Sequence, residues 1–276
     1  MSRLKDVTLG FIGSGVMAEA MIGGILNEEL TAPEHLIASD PRAERGDELA
    51  KRYGVRATPD NREAAEAAQI VILAVKPQVL PSVLEELEGA IAPQGLVLSI
   101  VAGARIRAIA EGLEHSAIVR VMPNTPAQLG EGMSVWTATD TVTDEQRLQT
   151  QSILQALGEE VFLEDEDYLD MATALSGTGP AYVFLFMEAM IDAGVHLGFS
   201  RRIAQQLVLQ TLRGSVDFAR QSAAHPAELR NMVTSPGGTS AEALYQLEKG
   251  GFRTVLSRAI WAAYQKSKYL GELSSK

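Results

Sequence analysis

A glycine-rich segment near the beginning of the chain has the residue types that bind a diphosphate. Gly13, Gly15 and Ala18 stand at the spacing of the dinucleotide fingerprint, after an apolar run and before a helical stretch. In that fingerprint the first glycine makes a tight turn, and the second lets the backbone approach a pyrophosphate. The small third residue lets the helix pack on the strand, so that the first helical amides face the phosphates. The alternative is a turn that only joins strand and helix.

An acid at the end of the second predicted strand also fits the fingerprint. This residue, Asp40, stands where an acid normally binds the ribose hydroxyls of NAD and repels the 2′-phosphate of NADP. Ser39 and Arg42 stand beside it and could bind that phosphate, unless Arg42 only solvates the next helix. The segment therefore predicts a nicotinamide dinucleotide and leaves the choice between its two forms open.

Three loops of small residues and prolines follow successive predicted strands. They are Ala74-Val75-Lys76-Pro77, Val101-Ala102-Gly103 and Pro123-Asn124-Thr125-Pro126. Ligands of open α/β sheets bind outside the carboxyl ends of the strands. We therefore expect these loops to form the floor of the cofactor cleft, although Lys76 by itself is also an ordinary exposed lysine.

A second glycine-rich segment, Thr234-Ser235-Pro236-Gly237-Gly238-Thr239-Ser240, joins two predicted helices. A Gly-Gly pair before a helix exposes backbone N–H groups to an anion, which the helix dipole also favours. The spacing from Thr239 to Glu242 equally fits a capping box, in which Thr239 would only cap the helix. The residues leave both interpretations open.

The elements that must position these residues alternate between strand and helix. Apolar runs predict strands over residues 7–13, 35–40, 69–75, 95–101 and 117–122, with helices over 17–29 and 43–53. This alternation predicts an α/β, Rossmann-type, doubly wound parallel sheet with right-handed crossovers. Residues 132–138 and 159–163 are expected to add edge strands that flank a helix over 144–157.

The pattern changes after the acidic segment Glu164-Asp165-Glu166-Asp167. From residue 168 onward the apolar positions follow helical spacing over 182–197, 201–220, 241–249 and 254–270. We therefore predict an NAD(P)-binding domain over residues 1–165 and an all-α domain over residues 166–276. Helices between residues 180 and 212 carry more apolar surface than one small core can cover, which predicts an obligate homo-oligomer.

Composition limits the partners. The net charge of −11 argues against nucleic acid and anionic membranes, because both need clustered Lys and Arg. The absence of cysteine excludes thiolate chemistry and Cys-ligated zinc, and the four histidines have no metal-ligand spacing.

The most apolar stretch, residues 180–199, contains Glu188, Asp192 and His196 and favours a buried helix over a membrane span. With no signal-peptide pattern near residue 1, a cytoplasmic location is expected.

Residues 174–182 and 232–244, above all Val233-Thr234-Ser235-Pro236-Gly237-Gly238-Thr239, strongly resemble the signature segments of pyrroline-5-carboxylate reductases. The resemblance extends to residues 10–18, 58–61, 74–77 and 250–253, and so runs through essentially the whole chain in order. The Ser-Pro-Gly-Gly-Thr segment is far more specific than any dinucleotide fingerprint.

The resemblance implies a Rossmann domain, a helical domain that forms an interlocked dimer, and the last step of proline synthesis. In that step NAD(P)H reduces the cyclic imine 1-pyrroline-5-carboxylate to L-proline; NADP is the implied cofactor, with NAD left open. By position, the dinucleotide is assigned to Ile12, Gly13, Ser14, Gly15, Val16, Met17, Asn61, Val75, Lys76 and Ala102, with Asp40 at the adenosine ribose. Arg42, Ala74 and Pro77 join them as the neighbours singled out above. The implied substrate residues are Glu166, Thr239 and Ser240.

The predicted mechanism uses the second glycine-rich segment. The substrate carboxylate is expected to dock on the N–H groups around Gly238, Thr239 and Ser240, because these precede the helical hydrogen bonds. Hydride chemistry belongs to the cofactor, so positioning is most of the catalysis. Ser240 is the candidate catalytic residue, whose hydroxyl would hydrogen-bond the imine nitrogen. An unperturbed hydroxyl is a poor acid, so water or solution is the candidate proton source.

Two residues depart from the family pattern. Asp40 stands where relatives often have a neutral or phosphate-binding residue, which argues against a strict NADP preference. Ser240 replaces a threonine but keeps a hydroxyl.

Three other functions would use the same kind of fold or cofactor cleft. A β-hydroxyacid dehydrogenase would need a lysine early in the helical domain, and the chain has none between Lys76 and Lys249. A related imine reductase for another ring stays open, because one fold serves many substrates. A non-enzymic dinucleotide-binding regulator would need a basic effector surface or an added partner domain, and neither is evident in the sequence.

Overall fold

Short aliphatic runs form one eight-stranded sheet in the computed structural model, which describes residues 3–274. The strands are β1 (Leu9–Ile12), β2 (Leu36–Ser39), β3 (Arg56–Thr58), β4 (Ile70–Leu73), β5 (Leu96–Ser99), β6 (Ile118–Met122), β7 (Gly132–Ala138) and β8 (Gly158–Phe162). They lie in the order β3-β2-β1-β4-β5-β6-β7-β8, and all neighbours are parallel except β6 and β7. The predicted Rossmann-type sheet is confirmed.

The chain leaves the centre of the sheet in two directions. From β1 it continues to β2 and β3 on one side, and from β4 to β5 and β6 on the other. The reversal between β1 and β4 creates a crevice at their carboxyl ends, which is where sheets of this kind bind ligands.

Helices cover both faces of the sheet, so every residue of β1, β2, β4 and β5 is buried. Buried residues of α1 (Val16–Asn27), α2 (Ala43–Tyr53) and α6 (Asp144–Gln155) belong to one apolar cluster. Those of α3 (Asn61–Glu66), α4 (Leu80–Leu87) and α5 (Ile106–Leu113) belong to a second cluster. These two layers hold the strand ends, and therefore the loops that follow them, in fixed positions.

Two strands, β7 and β3, differ from the sequence-based expectation. β7 was expected at an edge of the sheet but lies between β6 and β8, whereas β8 is an edge strand as expected. β3 was not predicted, because it is only three residues long and two of them are exposed, which leaves no apolar pattern to detect.

The chain divides into two compact units. The first comprises the described residues up to Pro180 together with those from Ala263 onward, and the second comprises Ala181–Ala262. The acidic segment and α7 (Tyr168–Ala172) thus belong with the sheet, and the last part of the C-terminal helix returns to it. This division differs from the predicted boundary near residue 165.

Helices account for the regular structure described after Phe162. They are α7, α8 (Gly179–His196), α9 (Arg201–Gln221), α10 (Pro226–Met232), α11 (Thr239–Lys249) and α12 (Phe252–Ser274), with a π-turn over Thr173–Gly177. The helical spacing recognised in the sequence therefore placed the long helices correctly.

The apolar helix α8 is not covered within the single chain. None of its residues is buried, and Phe184 and Leu185 are 60% and 67% exposed. The prediction that residues 180–199 form a buried helix is therefore wrong for one chain by itself. Among the described residues, the helical segment Tyr168–His196 is long and apolar enough to cross a membrane, by length and composition alone.

Candidate active site

The glycine-rich loop lies between β1 and α1, at the crevice of the sheet. Gly13 has φ +90°, and a Cβ there would lie 2.9 Å from both the Ala74 carbonyl oxygen and the Val75 Cγ1 atom. Only glycine fits this turn. Ala18, in the first turns of α1, is completely buried, as expected of the small residue that lets this helix pack on the sheet.

Gly15 faces open space. It is the N-cap residue of α1, and a Cβ built on it would meet no atom within 4 Å. The protein itself does not fill this position, which agrees with a backbone that a pyrophosphate approaches. The residues present therefore fit a dinucleotide, whose phosphates would lie at Gly15 and the first amides of α1.

Asp40 and Arg42 form a two-pronged ion pair beside this loop. Arg42 Nε lies 2.8 Å from Asp40 Oδ1 and the second guanidinium contact to Oδ2 is 3.0 Å. Burial would raise the pKa of Asp40, but hydrogen bonds from the Arg42 side chain and from the Arg42 and Ser14 amides outweigh it and lower the pKa. Asp40 is therefore an ionised carboxylate that is paired with Arg42.

Ser39 is not free to bind the 2′-phosphate, contrary to the interpretation of the sequence. Its side chain is completely buried, and its hydroxyl donates to Asn61 Oδ1 over 2.7 Å. The Asn61 amide in turn donates to Glu86 over 2.8 Å. Arg42, which is 64% exposed, is thus the residue of this pair of candidates that can reach a 2′-phosphate.

The strand-end loops lie where the sequence places them. The Ala74 amide donates to the Ile12 carbonyl over 2.9 Å, which brings the loop after β4 against the glycine-rich loop. Lys76, Pro77 and Ala102 are exposed at this same edge of the sheet. These loops therefore adjoin the crevice between β1 and β4.

Asn124 has a structural role instead. Its side chain accepts from the Met133 amide over 2.8 Å and donates to the Ser176 carbonyl over 3.2 Å. The Asn124 side chain thus holds the loop after β6 against residues 133 and 176, and its polar atoms are not free for a cofactor.

Glu166 is held from inside the first unit. Its Oε1 atom accepts from the Ile106 amide, at the start of α5, over 2.8 Å and from the buried Arg120 over 2.7 Å. Arg120 also lies 3.6 Å from Asp170, which is 1% exposed. The Ser267 hydroxyl, near the end of α12, donates to Asp170 over 2.8 Å. The contacts of Glu166 itself commit Oε1 to hydrogen bonds, while Oε2 lies 4.0 Å from the Arg105 guanidinium.

Sequence reasoning missed this buried ionic cluster. The available signal was Arg120, a charged residue inside the aliphatic strand Ile118–Met122, because an arginine there needs buried anionic partners. Nothing local pointed to Asp170 or Ser267, which lie 97 positions apart in the chain.

The second glycine-rich segment makes a tight turn before α11. The Gly238 amide donates to the Ser235 carbonyl over 3.0 Å, across Pro236 and Gly237, whose φ is +69°. Proline followed by a glycine with positive φ is typical of a type II turn. The Gly238 amide is therefore occupied, contrary to the expectation that it is free for a carboxylate.

Thr239 does not cap α11. Gly238 is the N-cap residue, no side chain accepts a capping hydrogen bond, and Thr239 is already the first helical residue. The capping-box interpretation is wrong, because it places the helix start one residue too late. The first helical hydrogen bond runs from the Glu242 amide to the Gly238 carbonyl. The N–H groups of Thr239, Ser240 and Ala241 precede that ladder and point out of the helix start.

The predicted site residues fall in both compact units. The cofactor residues and Glu166 belong to the first unit, and Gly238, Thr239 and Ser240 belong to the second. In the part of the chain that the structure describes, no group of three or more acidic, histidine or cysteine side chains could hold a metal ion.

A doubly wound sheet with a glycine-rich loop at its switch point and an acid at the end of β2 defines a nicotinamide-dependent oxidoreductase. Two family models match the chain: "NADP oxidoreductase coenzyme F420-dependent" over residues 8–103 and "Pyrroline-5-carboxylate reductase dimerisation" over residues 166–270. Pyrroline-5-carboxylate reductase from Synechocystis is 44% identical, over 97% of this chain and 99% of its own length. The Pseudomonas aeruginosa enzyme is 41% identical, over 96% and 97%. The chain belongs to the pyrroline-5-carboxylate reductase family.

Solved structures agree with this assignment. The Plasmodium falciparum pyrroline carboxylate reductase, solved with NADP bound, superposes with a TM-score of 0.89 at 36% identity, covering 97% of this chain and 99% of its own. The resemblance stated from the sequence is confirmed, as is the nicotinamide cofactor class. The matched dimerisation model also supports a homo-oligomer that acts on a small molecule.

Proposed function

We propose that this chain reduces the C=N bond of 1-pyrroline-5-carboxylate to give L-proline, with NADPH as the cofactor and NADH as the second candidate. The observation that carries the proposal is the match to pyrroline-5-carboxylate reductases over almost the full length of both chains. The glycine-rich loop at the switch point supports it independently, because it supplies the place where a dinucleotide would bind.

The bound cofactor would supply the hydride, and the chain's own residues would bind and orient both reactants. Gly13 and Gly15 shape the loop for the diphosphate, with Asp40 and Arg42 at the adenosine ribose. Two of the remaining assigned cofactor residues, Ile12 and Ser14, are buried and would support the loop from beneath. The others are assigned to the crevice itself, namely Val16, Met17, Asn61, Ala74, Val75, Lys76, Pro77 and Ala102.

The start of α11 is the proposed carboxylate site. The amides of Thr239 and Ser240 precede the helical ladder, and the positive end of the helix dipole favours an anion there. Gly238 contributes through its conformation rather than through its amide, because that amide already donates to Ser235. The turn thus presents the two following N–H groups to the substrate.

Ser240 is the proposed catalytic residue. It is half-buried, and its hydroxyl is assigned to a hydrogen bond with the imine nitrogen. Reduction places a proton on that nitrogen, and water is the assigned source because an unperturbed serine is a weak acid. Glu166 is assigned to the edge of the substrate site through Oε2, since Oε1 is committed to Ile106 and Arg120.

We further propose a dimer in the cytoplasm. The exposed apolar residues of α8 and α12, such as Leu185 and Trp261, support a dimer formed through the helical domain. The net charge of −11 supports an absence of nucleic acid and anionic membrane from its partners. A cytoplasmic location is proposed because the reaction consumes a pool of reduced nicotinamide cofactor.

The function can be tested by measuring the consumption of NADPH through its absorbance. We expect oxidation that depends on added pyrroline-5-carboxylate, with proline as the product by chromatography. A parallel assay with NADP⁺ and a β-hydroxyacid should show no reduction of NADP⁺, because that chemistry needs a lysine early in the helical domain and the chain has none between Lys76 and Lys249. Binding of NADPH without turnover of either substrate would contradict the proposal and favour a regulator.

A further inference from the structure

Ser14, inside the glycine-rich loop, is held at every polar group. Its amide donates to Asp40 over 3.3 Å, and its hydroxyl donates to the Ser39 carbonyl over 3.0 Å. Its carbonyl oxygen accepts from Arg45 Nε over 2.8 Å. Ser14 is 1% exposed, so these bonds lie beneath the loop and not on the side that faces a ligand.

Arg45 lies in the first turn of α2 and its side chain reaches the loop from there. It is 13% exposed, and besides Ser14 it contacts Glu19 of α1 and, over 2.8 Å, Glu48 of its own helix. Its planar guanidinium donates in several directions at once, which is the geometry that this three-way contact requires. Arg45 thus joins α2, α1 and the loop between β1 and α1.

The bond to the Ser14 carbonyl determines where the next amide points. A trans peptide holds the C=O of one residue and the N–H of the next on opposite sides, and the described chain contains no cis peptide bond. With the Ser14 carbonyl turned toward Arg45, the Gly15 N–H is turned away from α2. Gly15 borders the open space described above, where no Cβ contact exists within 4 Å.

The charge of Arg45 is already balanced. Glu19 accepts from Arg45, from Arg52 over 2.6 Å and from the Tyr53 hydroxyl over 3.1 Å. Hydrogen bonding to Arg45 is the main cause that lowers the pKa of Glu19. The cations Arg45 and Arg52 therefore face the anions Glu19 and Glu48, which leaves this group little net charge. Arg45 would thus affect a diphosphate through the orientation of the loop rather than through its own charge.

We propose that Arg45 is a positioning residue for cofactor binding, which holds the Ser14–Gly15 peptide so that the Gly15 N–H faces the diphosphate. This inference rests on the proposed function, because it assumes that the loop binds NADPH. It assigns to α2 a part in diphosphate recognition in addition to that of Asp40 and Arg42 at the ribose.

The dissociation constant for NADPH, measured by fluorescence titration of the full chain, tests the proposal. Arg45→Met should raise it about tenfold or more, since a hydrogen bond to a charged group is lost from a buried loop. KM for the imine and kcat at saturating NADPH should change far less. Arg45→Lys keeps one donor and should give a smaller increase, and an unchanged constant in both variants would overturn the proposal.

Arg52→Met is the matched control. Arg52 donates to the same Glu19 carboxylate but does not contact the loop, so its loss should lower the melting temperature without changing the dissociation constant. An equal increase in Arg52→Met and Arg45→Met would overturn the proposal, because the effect would then come from the Glu19 contacts in general.

Salt separates geometry from charge. The ratio of dissociation constants between Arg45→Met and wild type should be the same at low and high ionic strength, because orientation is not screened. A ratio that falls toward one at high salt would overturn the orientation argument. Failure of wild type to bind NADPH would instead contradict the proposed function, whereas a tight wild-type complex with unaltered variants would contradict this inference alone.

Discussion

Ser240 is the residue on which the proposed chemistry depends most directly. Ser240→Ala should lower kcat by about ten- to a thousandfold, with little change in NADPH affinity, because a hydrogen bond to the imine nitrogen is lost in the transition state. Ser240→Thr should keep most activity, since the hydroxyl and the backbone N–H both remain. Steady-state kinetics with each variant provide the measurement.

The neighbouring Thr239 supplies the control for that experiment. It is exposed and makes no capping bond, so Thr239→Ala should change the free energy of unfolding by no more than about 0.5 kcal/mol. If Ser240→Ala keeps the wild-type kcat and only raises KM, the hydroxyl merely helps to bind substrate.

Asp40 is expected to set the balance between the two nicotinamide cofactors. Asp40→Ser should raise the NADPH-to-NADH ratio of kcat/KM by about tenfold or more, because like-charge juxtaposition with the 2′-phosphate costs several kcal/mol. The change also frees Arg42, which Asp40 now binds through both carboxylate oxygens.

The double variant Asp40→Ser with Arg42→Ala is the control for this prediction. It should lose much of the gain, because the buried Ser39 hydroxyl is engaged with Asn61 and cannot take over. An unchanged ratio in Asp40→Ser would mean that this carboxylate does not act at the ribose.

At the level of elements, the spacing of apolar residues predicted helices and strands correctly wherever an element buries residues at regular intervals. α2 and β7 begin and end at the predicted residues, and the five predicted strands β1, β2, β4, β5 and β6 agree to within two residues at each end. β3 escaped detection because two of its three residues are exposed, so burial left no apolar signature. The start of α11 was misjudged because threonine is a common cap, whereas here a glycine in extended conformation takes that position.

At the level of the whole molecule, uncovered apolar surface predicts association. Static light scattering on the full chain should give a dimer or a larger assembly, because exposed apolar patches of this extent are typical of interfaces. Leu185→Lys, on α8, should weaken the assembly, since Leu185 is 67% exposed in the single chain. A stable and active monomer would contradict a dimer through the helical domain.

Leu129→Lys provides a comparison outside the helical unit. Leu129 is 83% exposed and lies in the first compact unit. Its substitution should leave the assembly unchanged if α8 is the interface. Equal dissociation by both variants would locate the interface elsewhere.

Four features could be read from the sequence by itself: the doubly wound type of the sheet, the glycine-rich loop, the acid after β2 and the family. Each depends on residues close together in the chain, where spacing alone sets which group faces which way. Tertiary structure alone decided that Arg45 holds Ser14, that Ser39 is occupied by Asn61 and that Glu166 bonds Arg120. These are hydrogen bonds between residues 22 to 46 positions apart. Their partners are chosen by how separate elements pack, and a buried polar group takes whichever partner that packing brings within reach.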